Sequence, residues 1–153
     1  MKKISLISIF VVVIVLILGV MFLRGITKKP TVEVGDIALE DVSLTGTTVD
    51  VELVINNPNP IGATIDKITY DVYLVNGKQT FLAHGEKDEK IQVSANDQTT
   101  VNIPTEISNV GIIEALYRCI SKEESPKIKV VGSVSLNLKL FSIDVPFEKT
   151  EEV

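Results

Sequence analysis

Near its amino terminus the chain has an uncharged, strongly apolar run of twenty residues, from Ile4 to Leu23, which sets the tightest limit on how the chain can fold. A helix rises about 1.5 Å per residue, so such a run spans about 30 Å, the thickness of a bilayer's hydrocarbon core. Its β-branched residues form helices poorly in water, but a segment in lipid must pair its own backbone groups and becomes helical. We therefore expect a transmembrane helix over residues 4–23.

The alternative interpretation of this run is a cleavable signal peptide. A signal peptide has an apolar stretch of about 7–15 residues, followed by small residues at the cleavage site. This run is longer, and it ends in Met21-Phe22-Leu23-Arg24, which offers no such site. No cysteine follows the run for lipoprotein-type processing. We expect an anchor that stays attached.

Basic residues flank the run on both sides. Lys2 and Lys3 precede it, and Arg24, Lys28 and Lys29 follow it. By the positive-inside rule the two sides are close to a tie. A very short amino-terminal tail before a long anchor most often stays in the cytoplasm, so we expect a cell-membrane protein whose carboxyl-terminal domain is extracytoplasmic.

The charge of the remaining chain limits its partners. All 20 acidic residues lie at Glu33 or later, and the 124 residues from Pro30 onward carry 10 basic against 20 acidic side chains, a net charge of −10. This sign argues against a nucleic-acid binder, and the length suits one domain with a real core. The expected organisation is a short basic tail (1–3), a transmembrane helix (4–23), a linker (24–31), one β-sandwich domain (32–149) and an acidic tail (150–153).

Period-two alternation of apolar residues dominates that domain and predicts half-buried strands. Seven segments carry it, with these apolar positions: Val32, Val34, Ile37, Leu39, Val42 and Leu44; Val49, Val51, Leu53 and Ile55; Ile68, Tyr70, Val72 and Leu74; Phe81 and Leu82, closed by Ile91 and Val93; Val101 and Ile103; Ile128, Val130, Val134, Leu136 and Leu138; Phe141, Ile143, Val145 and Phe147. About seven strands with one helix late in the order predict an antiparallel β-sandwich.

Local signals refine this pattern. Gly35-Asp36 predicts a break in the first segment, and Asn76-Gly77 predicts a hairpin turn. Gly132 predicts a bulge or a close backbone approach, and Pro146 an edge strand. Between the fifth and sixth segments, apolar residues recur at helical spacing after Ser108, a plausible N-cap, and Ser125-Pro126 ends the helix. The helical positions are Val110, Ile113, Leu116, Tyr117 and Ile120, with Arg118 and Lys122 near the carboxyl end.

The second segment runs directly into a motif of two prolines and three asparagines. These residues are Asn56, Asn57, Pro58, Asn59 and Pro60. Proline has no backbone N–H, so strand pairing must end here, and asparagine side chains bond nearby backbone groups in turns. We interpret the motif as a rigid structural corner between two sheets. A ligand-contacting loop is the alternative.

This motif after Val-Asp-Val-Glu-Leu-Val-Ile resembles the late-embryogenesis-abundant type 2 family, also called the water-stress and hypersensitive-response (WHy) domain. The likeness continues in order through residues 68–77, 91–96 and 99–104, the helix, and the hairpin ending Val145-Pro146-Phe147, and it covers Val32 to Glu148. The resemblance implies a fibronectin-III-like, immunoglobulin-like sandwich linked to desiccation or other stress, with no known catalytic activity. Some plant relatives also carry an amino-terminal anchor. Because much of the family is soluble, a bulk cytoplasmic protectant role transfers poorly to an anchored copy.

Residues that could carry chemistry are few. His84 is the only histidine, and Ala83 and Gly85 beside it suggest an exposed loop or strand end. Cys119 falls within the predicted helix, which favours a structural thiol over a nucleophile. Glu86, Asp88 and Glu89 alternate with lysines, which favours a solvated charged turn over a calcium site. We expect no catalytic residue, cofactor or metal.

These observations favour a non-enzymatic, membrane-anchored stress-response protein. The alternative is a membrane-tethered protein-binding or scaffold module that uses the sandwich edge or loops, since an unpaired edge can accept an added strand. An enzyme is not expected. The expected partner is the lipid bilayer, through Ile4 to Leu23, and not nucleic acid. The sequence names no protein partner and no oligomeric state.

Overall fold

Period-two alternation builds long strands here, because each apolar position meets the core while its neighbours meet water. The computed structural model describes residues 6–26, 28–41, 43, 45–108, 112–113, 121 and 126–152. Its bounded elements are the helix α1 (Leu6–Ile26) and the strands β1 (Thr31–Glu40), β2 (Gly46–Asn57), β3 (Ala63–Val75), β4 (Gln79–Lys87), β5 (Ile91–Val93), β6 (Asp97–Ser108), β7 (Lys127–Asn137) and β8 (Ser142–Glu152). The chain is therefore mainly β, as predicted.

Helix α1 occupies most of the run for which we expect a membrane span. It continues past Leu23 to Ile26, while residues 4 and 5 lie outside the described part. The side chains described for it, at residues 9–22 and 24, are all exposed. Within the described part of the chain, no helix has both the length and the apolar character that crossing a membrane requires.

The strands pair antiparallel in two sheets. One sheet has the order β1-β2-β6, and the other has the order β4-β3-β7-β8, with the short β5 pairing with the start of β3. The buried faces of both sheets contribute to one hydrophobic core cluster. This two-layer arrangement is the one expected of an antiparallel β-sandwich.

The predicted alternation is confirmed where strands are central. In β2, Val49, Val51, Leu53 and Ile55 are fully buried. The core-facing positions predicted in the third and sixth segments are likewise confirmed as buried: Ile68, Tyr70, Val72, Leu74, Ile128, Val130, Val134, Leu136 and Leu138. Alternation is weaker in the edge strand β1, where Leu39 is exposed, because an edge strand has a neighbour on one side only.

The strand count and one boundary differ from expectation. The described residues form eight strands rather than seven, since Ile91–Val93 pairs with Ala63–Ile65 as a separate strand. Residues 88–90, which are charged and exposed, lie between β4 and β5 and belong to neither strand. They divide the predicted fourth segment into two strands. Residues 150–152, expected as an acidic tail, pair with Lys127–Lys129 and extend β8.

Several local predictions are confirmed by the register. The pairing of β1 with β2 shifts between Val34 and Ile37, at the predicted break. Gly77 has φ 79° in the turn between β3 and β4, a conformation that glycine adopts without strain. Pro146 lies in β8, at the edge of its sheet, where its missing N–H costs no ladder bond.

The amphipathic helix expected after Ser108 falls largely outside the described residues. Ser108 is the last residue of β6, and Ile112, Ile113 and Ser121 are helical. The other residues named for this helix lie outside the described part: Val110, Leu116, Tyr117, Arg118, Cys119, Ile120, Lys122 and Ser125. Val42 and Leu44, predicted for the first strand segment, also lie outside it.

One end of the sandwich, which we call the corner end, gathers several connections. There β2 ends at Asn57 opposite Asp97, the first residue of β6. The start of β3 pairs with the end of β5 at the same end, and β7 turns into β8 between Asn137 and Ser142. The amino end of β1, which follows α1 and the linker, pairs with Asn56. The corner end is therefore the end at which the linker enters the domain.

Candidate functional site

The Asn-Pro-Asn-Pro motif forms the corner by which the chain passes from β2 to β3. Strand β2 keeps its pairing with β6 up to Asn57. Pro58 and Pro60 then remove two backbone donors, so the ladder cannot continue. Asn56 and Pro60 are exposed, whereas Asn57 and Asn59 are fully buried. The motif thus directs two amide side chains into the domain.

Asn57 joins the corner to the turn between β5 and β6. Its Nδ2 donates to the carbonyl oxygens of Ile61, at 2.9 Å, and Ser94, at 3.2 Å. Its Oδ1 accepts from the backbone N–H of Asn59, at 3.1 Å, and from Asn59 Nδ2, at 3.2 Å. Both amide hydrogens and both lone pairs are therefore used within the protein, which favours the structural interpretation of the motif.

Asn59 ties the corner to the linker that follows α1. Its Nδ2 also donates to the carbonyl oxygen of Lys28, at 2.9 Å. Its own carbonyl oxygen accepts from the backbone N–H of Asn96, at 2.9 Å. Its Oδ1 is buried and accepts no hydrogen bond from a described residue. The corner therefore binds two other segments of its own chain, the linker at Lys28 and the β5–β6 turn at Ser94 and Asn96.

Three of the five basic residues predicted to flank a membrane lie in the part of the chain that the structure describes. Arg24 is exposed in the last turn of α1. Lys28 and Lys29 are exposed just before β1, and Lys28 meets the corner through its backbone. Lys2 and Lys3 lie outside the described residues. The structure thus brings one expected flanking residue into contact with the Asn-Pro motif, a link that the sequence does not reveal.

Tyr70 joins the two sheets through its hydroxyl group. Its ring is buried in β3, and the hydroxyl donates to the carbonyl oxygen of Ile103, at 3.0 Å, in β6. The same hydroxyl shares a short hydrogen bond with the hydroxyl of Thr105. Burial raises the pKa of Tyr70 above its ordinary value, so the group remains a neutral donor. This connection is a buried polar link between the two sheets.

Glycines on both neighbouring strands make room for Tyr70. Gly85 in β4 and Gly132 in β7 lie directly opposite it. A Cβ at Gly85 would collide with the tyrosine ring, and a Cβ at Gly132 would collide with the Thr69 carbonyl oxygen. The register continues unshifted through Gly132, so the prediction of a close backbone approach is confirmed and a bulge is absent there. Glycines inside strand segments, such as Gly85 and Gly132, are the sequence signal that could have indicated a bulky buried ring on a neighbouring strand.

His84 lies within β4 and not in a loop or at a strand end, although its side chain is exposed. Its Nδ1 lies 2.7 Å from Asp71 Oδ1, and its Nε2 lies 3.8 Å from Glu86 Oε2. The hydrogen bond to Asp71 raises the pKa of His84 above its ordinary value. The neighbouring carboxylates of Asp71 and Glu86 therefore favour the protonated form of the ring, which donates hydrogen bonds to them.

Two of the three acidic residues near the end of β4 form ion pairs with lysines. Glu86 lies 2.9 Å from Lys67 Nζ, and Glu89 lies 3.1 Å from Lys87 Nζ. The hydrogen bond with Lys67 lowers the pKa of Glu86, and the same bond raises the pKa of Lys67. These exposed pairs favour the solvated charged turn over a calcium site.

Comparison with known proteins identifies the family. The family model for late embryogenesis abundant protein matches residues 52–151. An uncharacterized protein of Methanocaldococcus jannaschii is 33% identical over 132 residues, covering 84% of this chain and 72% of its own length. Two solved structures share the fold at 16% identity: one from Archaeoglobus fulgidus, with a TM-score of 0.59 and coverage of 82% of this chain and 94% of that one, and one from Arabidopsis thaliana, with a TM-score of 0.65 and 82% of each. This chain therefore belongs to the late embryogenesis abundant protein family.

Proposed function

We propose that this protein is a non-enzymatic, membrane-anchored member of its family that serves in the response to desiccation or a related stress. The observation that carries the proposal is the corner, whose buried amides bond the protein's own backbone. This use supports a motif that holds the fold together over one that binds a substrate. Assignment to the WHy group and to a fibronectin-III-like sandwich belongs to the same proposal, and the two sheets of three and five strands support the latter.

The charge of the domain supports a protective role. From Pro30 onward the net charge is −10, and acidic side chains hold water strongly. Like-charged surfaces repel one another and oppose association. Such a surface resists aggregation when water is withdrawn and neighbouring proteins become concentrated. The stress itself is inferred from family membership.

The proposed anchor is the uncharged run from Ile4 to Leu23. The side chains described for α1 cover only residues 9–22 and 24, so the proposal rests on the full run in the sequence. Every one of those described side chains is exposed, and the apolar ones include Phe10, Leu16 and Phe22. A helix that is apolar on all sides and not covered by protein requires an apolar solvent, which supports a position in lipid.

The proposed location is the cell membrane, with the domain outside the cytoplasm. The bond from Asn59 to the Lys28 carbonyl supports a domain held close to the lipid, because it fastens the linker to the corner end. Protease added to intact cells should then cleave the domain. Protection in intact cells, together with cleavage in inverted vesicles, would reverse the proposed orientation.

A binding or scaffold module is the second candidate. Exposed Leu39 on the edge strand β1 favours it, since an unpaired apolar edge can accept a strand. However, Lys149 Nζ from β8 donates to the Gly35 carbonyl oxygen of β1, at 2.8 Å. This bond occupies part of that edge, so we favour the first proposal.

The anchor is tested by placing two charges in the middle of the run. Val13→Arg with Ile14→Arg should prevent integration, because each charge at a helix centre costs about 2.5–3.5 kcal/mol on insertion scales. The matched control is Val13→Leu with Ile14→Leu. The unchanged protein and the control should stay with membranes after an alkaline wash, whereas the doubly charged protein should be released. Release of the unchanged protein would contradict the anchor.

The stress role is tested in a strain that lacks the gene. Survival after drying, high salt and heat should fall, and the unchanged gene should restore it. The doubly charged variant should restore it less well if anchoring matters. A deletion strain that tolerates all three treatments as well as its parent would contradict the proposal.

A further inference from the structure

The turn between β7 and β8 exposes two adjacent apolar side chains. We call residues 138–141 the β7–β8 tip. Leu138 is fully buried and anchors the tip in the core, but Leu140 is 63% exposed and Phe141 is 42% exposed. Lys139, which follows Leu138 and precedes Leu140 in the sequence, is exposed as well. A leucine and a phenylalanine presented together to water require an explanation, since single exposed apolar residues are common but paired ones on a tip are less so.

The tip is a built structure with a defined conformation. The backbone N–H of Leu138 donates to the Phe141 carbonyl oxygen, at 2.9 Å, and that of Leu140 donates to the Leu138 carbonyl oxygen, at 2.8 Å. The N–H of Lys139 donates to Asn137 Oδ1, at 2.8 Å. Lys139 has φ 68°, a left-handed conformation that is uncommon for a residue with a side chain. These bonds fix the backbone of the tip, on which Leu140 and Phe141 are exposed.

The tip lies at the corner end, where the linker from α1 enters. Asn137 pairs with Thr64, at the start of β3, immediately after the corner. Four residues separate the end of α1 at Ile26 from Thr31 in β1, and that stretch of chain can span at most about 17 Å. The corner end therefore cannot lie far from the end of α1.

Other exposed apolar residues of the described strands differ in position or contacts. Phe81 in β4 lies near the opposite end, next to the β3–β4 turn, and packs edge-on against Tyr73 with ring centroids 5.9 Å apart. Leu39 lies on the β1 edge. Within the described strands and their turns, only the tip combines adjacent apolar residues, a flanking lysine and a position at the linker end.

We propose that the β7–β8 tip is a second membrane contact. Leu140 and Phe141 enter the boundary between headgroups and acyl chains, and Lys139 lies among the headgroups, where a cation is attracted to anionic lipid. The inference rests on the proposed anchoring, because α1 is what brings the tip to a bilayer. Together, the linker and the tip would hold the domain in one orientation on the lipid.

The chain contains no tryptophan, so a single substitution creates a unique fluorescent reporter. Leu140→Trp is the tip variant and Phe81→Trp is the matched control, and each replaces an exposed apolar side chain in the full chain. Both proteins are reconstituted into vesicles of neutral and anionic phospholipid, with or without lipids brominated near the headgroup end of the acyl chains. The tryptophan of the tip variant should emit at shorter wavelength and be quenched at least about twofold more than that of the control, because its ring is in the interface.

The outcomes separate this inference from the anchor. If both variants float with vesicles and the tip variant is quenched no more than the control, the tip contact is overturned while the anchor stands. If emission of the tip variant is blue-shifted without lipid quenching, and the shift fades on dilution, a second copy covers the tip and the inference is overturned. If neither variant floats, both this inference and the anchor fail.

A second reporter guards against a local effect of the substitution. Phe141→Trp replaces the neighbouring side chain and should give the same pattern, with weaker quenching because position 141 is less exposed. Quenching at neither tip position, with both proteins folded by circular dichroism and floating with vesicles, would overturn the inference.

Discussion

Two polar clusters in this domain differ mainly in their access to water. At the corner, Asn57 and Asn59 are fully buried and bond backbone groups. On the outer face of β3 and β4, Asp71 and Glu86 flank His84, whose ring is charged when it is protonated, and all three side chains are exposed. Water competes for the exposed groups and screens them, whereas a buried polar group that loses its partner has nothing to replace it. We therefore expect the uncharged cluster to matter more for stability than the charged one.

Asn57→Ala offers the largest test of this comparison. It removes four hydrogen bonds and leaves the carbonyl oxygens of Ile61 and Ser94 without their amide donor. The free energy of unfolding should fall by about 3 kcal/mol. Denaturant unfolding of the full chain in micelles measures the loss. The matched control is Asn56→Ala, an exposed neighbour in the same motif, for which we expect a change within about 0.5 kcal/mol. Equal losses would contradict the comparison.

Asn59→Ala should have the next largest effect, and a more local one. The variant loses the bond to the Lys28 carbonyl oxygen but keeps the backbone bond to Asn57 Oδ1. We expect a loss of about 2 kcal/mol. Trypsin should cleave after Lys28 faster than in the unchanged protein, because the linker is released from the corner; the bond after Lys29 resists trypsin because Pro30 follows it. Unchanged cleavage there would mean that the Asn59 bond does not restrain the linker.

Tyr70→Phe tests a single buried hydroxyl. Its removal leaves Ile103 and Thr105 without their partner, and we expect a loss of about 1–2 kcal/mol. The control is Tyr73→Phe, since the Tyr73 hydroxyl makes only a long 3.4 Å bond to Asp71 in a partly exposed position. The control should change stability by less than about 0.5 kcal/mol. A control that costs as much as the Tyr70 variant would break the comparison.

His84→Gln should have the smallest effect, and it should depend on pH. The folded-state pKa of His84 is raised by Asp71, so its contribution is present below the unfolded value of about 6.5 and is lost as pH rises through the folded pKa. The variant should therefore unfold at lower urea concentration than the unchanged protein near pH 5, and at the same concentration near pH 9. The hydrogen bond from Lys67 lowers the pKa of Glu86, which favours its carboxylate beside His84. A difference that grows with pH would contradict the assigned sign.

Much of the fold is predictable because strand burial is a local pattern. The burial of Val49, Val51, Leu53 and Ile55 follows from the two-residue period of a strand, which places all four on the face that meets the core. The break at Gly35-Asp36 and the turn at Asn76-Gly77 are also local, since turn chemistry acts over a few residues. The separate strand β5 is not predicted, because its partner Ala63–Ile65 is distant in the chain.

The candidate site is predictable only in outline. Prolines in the motif indicate a corner, but the partners of Asn57 and Asn59 at Ser94 and Lys28 lie 37 and 31 residues away. The prediction that His84 lies in a loop or at a strand end is wrong. It rests on the small neighbours Ala83 and Gly85, which are common in loops. Gly85 is instead small because the ring of Tyr70 occupies the adjacent space.

The uncharged amino-terminal run, the acidic charge of the domain and the strand positions that face the core can all be read from neighbouring residues, because charge and periodicity are local properties. In contrast, the fold is needed to see that the Asn-Pro corner holds the linker, that Tyr70 connects the sheets, and that Leu140 and Phe141 share an end with the linker. Those relations depend on how the strands are ordered in space. A local pattern sets which face of a strand is buried, but it does not specify which distant segment comes to lie against it.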